Sequence, residues 1–213
     1  MNTVYSVKEA YYTLQGEGYH SGRPAVFLRF AGCNLWSGRE QHRDEAVCKF
    51  CDTDFVGTDG RGGGKFESPQ ELAEHVDQLW PAGPNKYVVC TGGEPLLQLD
   101  TPLIEAFHDK GIEIAIESNG TIAAPAGIDW ICISPKANAP VVQQTGNELK
   151  LVYPQKEKEA APEMFEDMKF EHFSLQPLED DNWEENTWAA VRYCLENPNW
   201  RLSLQTHKYV GIP

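Results

Sequence analysis

Two rhythms of apolar and polar residues run along this chain. Short apolar stretches stand at PAVFLRFAG (24–32), KYVVCT (86–91), IEIAIES (112–118), DWICIS (129–134), ELKLVY (148–153), FSLQP (173–177) and WRLSLQ (200–205). Their length and their Gly, Pro or Asn boundaries predict strands. Between them lie segments with helical composition. SPQELAEHVDQLW (68–80) has Ser68 as cap, Pro69 in the first turn and Glu71 to complete a capping box, with Pro81 and Gly83 as stops. Residues 100–111 have Asp100 or Thr101 as cap and Gly111 as terminator. Helices are also expected over 157–168 and 182–197. GTDGRGGGKF (57–66) reads as a flexible loop, and no internal repeat stands out.

Strands that alternate with helices predict an α/β fold with about six mostly parallel strands, in a partial barrel or an open sheet. The 213 residues suit one domain spanning 1–213. In such folds chemistry collects where strands end. Each apolar run here stops in polar residues: Cys33; Thr91 to Glu94; Glu117 to Asn119; Ser134 to Lys136; Gln176-Pro177; and Gln205 to His207. Polar turns account for these singly, but a pocket accounts for their shared side.

A net charge of -14 repels phosphates and argues against nucleic acid as a direct partner. The densest acidic stretch, EDDNWEE (179–185), reads as a solvated loop and helix start. No run of eighteen apolar residues suggests a membrane span. MNTVYSVKEAYYTLQ lacks the basic flank and apolar stretch of a signal peptide. The expectation is a cytoplasmic protein.

Six cysteines are too sparse for a disulfide scaffold. Cys90, Cys132 and Cys194 sit in apolar runs and read as buried thiols. Cys33, Cys48 and Cys51 form a C-x14-C-x2-C set. Two metal centres fit it. Structural zinc would need a fourth ligand, from His42 or Asp52. A [4Fe–4S] cube held by three thiolates would keep one iron open. The spacing does not choose between them. The CTGGEP turn (90–95) adds paired glycines that admit a ligand close to the backbone, and a carboxylate at Glu94 suited to an ammonium.

A three-cysteine loop after one strand and GGEP after the next resembles the radical SAM enzymes, whose usual spacing is C-x3-C-x2-C. YTLQGEG (12–18), FLRFAGCNLW (27–36), FCDTDF (50–55), TGGEP (91–95), ESNGT (117–121), SPK (134–136) and QTHK (205–208) extend the likeness over essentially the whole chain. Together they resemble the 7-carboxy-7-deazaguanine synthase family, in its variant with an enlarged cysteine loop, here about 34–47. The resemblance implies an abbreviated radical SAM barrel with few helices, and a homodimer. It implies three-cysteine ligation of the cluster, with S-adenosylmethionine (SAM) on the open iron and an external electron donor such as a flavodoxin. It also implies conversion of 6-carboxy-5,6,7,8-tetrahydropterin to 7-carboxy-7-deazaguanine on the route to queuosine. A 5′-deoxyadenosyl radical takes the substrate hydrogen, the ring contracts, ammonia leaves, and SAM is regenerated.

The same resemblance carries roles onto residues. Cys33, Cys48 and Cys51 hold the cluster. Phe50, Gly93, Glu94, Glu117, Ser134, Pro135, Lys136, Gln176, Pro177, Leu178 and Glu179 face SAM. Leu14, Gln15, Gly16, Glu17, Arg29, Thr91 and His207 face the pterin, with Arg29 suited to its carboxylate. A tail at about 205–213 caps the substrate through the terminal carboxylate of Pro213. Mg²⁺ falls to Thr53, although Asp52 and Asp54 are the better ligands by chemistry alone. Ser37 and Glu40 suit a small helix within the cysteine loop. A glycyl-radical activase shares the cysteines and GGEP but fits YTLQGEG and QTHK poorly. A zinc-stapled binding module through His42 is the alternative from another class.

Overall fold

The computed structural model describes residues 4–213; the stretch read for a signal peptide begins in residues 1–3, outside the described ones. Nine strands form one sheet: β1 (Tyr5–Leu14), β2 (Pro24–Phe30), β3 (Gly64–Phe66), β4 (Tyr87–Gly92), β5 (Glu113–Ser118), β6 (Trp130–Ile133), β7 (Thr145–Tyr153), β8 (Lys169–Pro177) and β9 (Trp200–Leu202). Their order is β3-β1-β2-β4-β5-β6-β7-β8-β9. β1 pairs antiparallel with β2 and β3. From β2 to β9 every pairing is parallel. The parallel α/β expectation holds, and the strand number rises from about six to nine.

The extra strands had no clean sequence signal. β1 carries a register shift between Val7 and Glu9 and buries adjacent residues at Val7-Lys8 and Ala10-Tyr11, so YSVKEAYYTL keeps no single alternation. β3 lies at the end of the glycine stretch, which is not loose. Gly60 N donates to Lys8 O, and Ala10 N to Arg61 O. A Cβ at Gly63 would lie 2.2 Å from Lys8 O. These glycines let one backbone lie against another.

Few helices cross over. They are α1 (Pro69–Leu79), α2 (Thr101–Asp109), α3 (Trp183–Glu196) and the short α4 (Thr206–Val210), the last unforeseen. Ser68 Oγ caps α1 by accepting from Glu71 N, while Glu71 Oε2 takes the Glu67 N–H. Asp100 caps α2. Asn182 does not cap α3 with its side chain. The expected helix over 157–168 is two 3₁₀ turns, Lys158–Ala160 and Pro162–Met164. Pro162 lacks an N–H and holds Ala161 extended, which stops α-helix growth. In the cysteine loop the expected small helix is a single 3₁₀ turn, Glu40–His42; Ser37 Oγ accepts from Arg39 N and is bonded to the His42 ring.

One sheet face is packed by helices. Val26, Leu28, Phe30, Val88, Ile114 and Ile116 meet Leu72, Val76, Leu103 and Phe107 of α1 and α2. Leu149, Leu151 and Leu175 meet Ala190 of α3. Truncating one such core side chain, Phe107→Ala for instance, costs about 3–5 kcal/mol. The opposite face cups a different population: Ala25, Phe27, Tyr87, Val89 and Trp130 low in the cup, and polar side chains toward the strands' C-terminal ends.

Candidate active site

Strand alternation sends Arg29 (β2), Thr91 (β4), Glu117 (β5), Lys150 (β7) and Gln176 (β8) into one cavity of about 480 Å³ at the C-terminal ends of the strands. That size suits a ligand or cofactor. Of the sequence-expected residues, Cys33, Cys48, Cys51, Phe50, Thr53, Leu14, Gln15, Gly16, Glu17, Gly93, Ser134, Lys136, Pro177, Leu178, Glu179, His207 and Pro213 also line it. Glu94 and Pro135 do not.

Glu94 lies beneath the wall and is fully buried. Its Oε1 accepts from Leu96 N and Ser118 Oγ, its Oε2 from Asn119 N. The carboxylate read as a seat for an ammonium is therefore occupied by protein donors, and burial pushes its pKa up. It fixes the turn, whose Gly92 and Gly93 backbone faces the cavity. Asn119 also donates to Asn34 Oδ1, tying this turn to the residue after Cys33. A Cβ on Gly93 would lie 2.2 Å from Gly32 O and 2.6 Å from Cys33 Cβ.

A buried charge network floors the cavity. Lys150 Nζ donates to Glu17 Oε2 and Glu117 Oε2, each at 2.5 Å. Gln15 Nε2 donates to Glu117 Oε1 at 3.0 Å, and Gln205 Nε2 to Glu17 Oε1 at 2.9 Å. Burial would raise the Glu17 pKa, but the Lys150 ammonium overrides it and holds the carboxyl at about 2. Glu117 is held above the usual carboxylate range by burial and by its Glu17 neighbour, despite the same ammonium. Lys150 has no role among the sequence-based expectations. The signal was there: in ELKLVY, Glu148, Lys150 and Val152 alternate with Leu149 and Leu151, and the latter face α3.

Arg29 Nε donates to Glu9 Oε1 at 2.7 Å, across the β1–β2 register. His207 packs on Gly16, where a Cβ would lie 2.1 Å from its Nδ1. Thr13 Oγ1 donates to the Pro213 carbonyl. Lys208, at the rim, pairs with Glu179 and with Asp52 at 3.4 Å. Glu179 lines the rim of the cavity and is exposed there, as are Asp180 to Glu185.

The donor set fits an iron–sulfur cluster. Cys33, Cys48 and Cys51 all line the cavity, and the missing side chain of Gly93 lets its turn pack directly against Gly32 and Cys33. Lys136, whose Nζ is held by Ser134 O and Oγ, brings a cation to the same cavity; burial lowers its pKa. Zinc closure fits poorly. His42 is half-buried, bonded to Ser37 and Gln41, and absent from the cavity lining. Asp52 is exposed and drawn to Lys208. Cys90 and Cys132 are buried as expected, and Cys194 is half-buried.

A half-barrel of parallel strands, with three thiols after the first and a Gly-Gly-Glu turn after the second, defines a radical SAM protein; residues 42–151, from inside the enlarged loop onward, match the radical SAM superfamily. The 7-carboxy-7-deazaguanine synthase of Caulobacter vibrioides is 61% identical over 211 residues, covering 99% of this chain and 100% of that one. The synthase of Bordetella pertussis is 60% identical over 211 residues, covering 99% and 100%. The crystal structure of QueE from Escherichia coli superposes with a TM-score of 0.72 at 27% identity, covering 96% of this chain and 95% of that one. This chain belongs to the 7-carboxy-7-deazaguanine synthase family.

Proposed function

We propose that this enzyme converts 6-carboxy-5,6,7,8-tetrahydropterin to 7-carboxy-7-deazaguanine, with ring contraction and release of ammonia, as a step toward queuosine. One observation carries the substrate assignment. The three thiols share their cavity with an acceptor pair, Glu17 and Glu117, and a guanidinium, Arg29. A pterin offers the complement: a guanidine-like edge that donates and a carboxylate that accepts.

Cys33, Cys48 and Cys51 would hold a [4Fe–4S] cluster; with SAM bound, it supplies the hydrogen-abstracting radical, and SAM is used catalytically. Phe50, Gly93, Ser134, Lys136 and Gln176 to Glu179 line the SAM side. The Lys136 ammonium suits the methionyl carboxylate. Leu14 to Glu17, Arg29, Thr91 and His207 line the pterin side; Glu117, expected on the SAM side, is bonded to Gln15 and shares Lys150 with Glu17, which moves it to the pterin side in this reading. Lys150 keeps Glu17 ionised and fixed, so it can accept without reorganising. Thr53 is the magnesium position. Asp54 is already paired with Lys8 at 2.8 Å, and Asp52 with Lys208. Among the described residues no protein hydrogen bond engages the Thr53 hydroxyl. A homodimer, a flavodoxin-like reductant and a reducing cytoplasmic setting complete the reading; no helix among the described residues is long and apolar enough to cross a membrane.

The test is anaerobic incubation of reconstituted enzyme, SAM, reductant and the carboxytetrahydropterin, read by mass. A deazaguanine product supports the reading. Absence of product from protein carrying an intact cluster refutes it.

A further inference from the structure

The enlarged cysteine loop poses a mechanical problem. In a C-x14-C set fourteen residues lie between the first thiol and the pair, so the loop itself must bring them together. Two devices span the gap. One is backbone: Val47 N and Cys48 N both donate to Leu35 O, at 3.1 and 3.4 Å. The other is Arg43. Its Nη1 donates to Lys49 O at 2.8 Å and to Cys51 O at 3.1 Å, so it grips the backbone of the C-x2-C segment at two points. Its guanidinium lies 4.1 Å from the Trp36 ring centroid, three residues past Cys33. Trp36 in turn packs edge-on against Phe55. Glu40 takes the Arg43 Nε with both carboxylate oxygens, which fixes the planar fork. One side chain thus touches the Cys33 end and the Cys48–Cys51 end of the loop.

We propose that Arg43 is the positioning residue that holds the two parts of the thiol set in register, and that its charge helps set the reduction potential of the cluster they carry. Lysine cannot replace it, since one ammonium cannot stack on Trp36 and bridge two carbonyls in a plane. The proposal rests on the three-thiolate reading above. Fe–S potentials follow hydrogen bonding and local charge. A fixed cation beside the cluster favours the reduced, more negative form.

The experiment compares wild type with Arg43→Met, Arg43→Lys and, as a same-loop control, Arg39→Met, each reconstituted without oxygen. Iron and sulfide per chain, cluster bleaching under a chelator, and the midpoint potential are measured. Arg43→Met is expected to bleach about tenfold faster, the loss typical of groups that orient metal ligands, and to shift the potential negative. Arg43→Lys should bleach faster yet keep a potential near wild type. Arg39→Met should match wild type in both. Circular dichroism of the apo forms identifies any variant that fails to fold; if Arg43→Met does, the bleaching rate of Arg43→Lys decides, and a wild-type rate overturns the proposal. Arg43→Met with wild-type bleaching and potential overturns the proposal. Wild-type protein that assembles no cluster refutes the three-thiolate reading instead.

Discussion

Lys150 stands between two carboxylates with its side chain 4% exposed. Removing the ammonium leaves both acids buried without a counter-charge. Lys150→Met should therefore cost about 3–5 kcal/mol in urea unfolding at pH 7. Adding Glu117→Gln should return part of that loss, because the two sites couple directly. The pH dependence has a defined sign. Glu17 holds its proton less tightly folded, about 2, than at its ordinary 4.5, so its stabilisation is lost as pH falls through that window. Glu117 is shifted upward and opposes this. Stability of Glu117→Gln should hence fall more steeply between pH 4.5 and 2 than that of Glu17→Gln; equal slopes would contradict the assigned asymmetry. Gly16→Ala should displace the His207 ring and raise KM for the pterin more than it lowers kcat, as steady-state kinetics will show. The thiols, the glycine turn and Arg29 were legible because their residue types are rare at strand ends. Lys150 was not, because a lysine in a strand reads as solvent-facing until its neighbours are known. Glu94 was legible as important but not in its role, since sequence does not show which donors surround a carboxylate.

At the scale of elements, the glycine stretch shows how composition misleads. Glycines usually mark freedom, but Gly62 and Gly63 are there because Ala10 O and Lys8 O lie where side chains would be. The neighbouring loop is tied down by Lys8, whose Nζ reaches Asp54, Asp59 and Val56 O. Gly63→Ala should destabilise the fold by more than about 1 kcal/mol, measured as a fall in Tm. If the stretch is as loose as its composition suggests, Tm will not move. Strands β2 and β4 through β9 were readable because each is a compact apolar run between turn residues. β1 was missed because its register shift between Val7 and Glu9 breaks the alternation. The helix expected over 157–168 failed at Pro162, a single residue that outweighed good surrounding propensities.

The whole molecule is a cup, and its base is closed by the β1–β2 loop. Tyr19 stacks on His172 at 4.0 Å and on Trp130 at 5.3 Å, while His20 meets Trp130 at 4.1 Å. Burial and then Arg23 lower the His20 pKa, with Glu113 and Glu148 opposing and His172 assisting. The folded state therefore favours neutral His20, and its stabilisation is lost as pH falls below the ordinary 6.5. Unfolding free energy between pH 7 and 5.5 should decline less in His20→Phe than in wild type. No residue pattern announced this base, because it is assembled from four separate segments.

A sheet that stops short of a ring has two raw margins, and each invites another chain to zip onto it. Here the margins are β3 and β9, three residues apiece. That is too little ladder to recruit a stranger. The fold can keep one side open for large guests without becoming adhesive, and any self-association must be built from side chains instead of shared backbone.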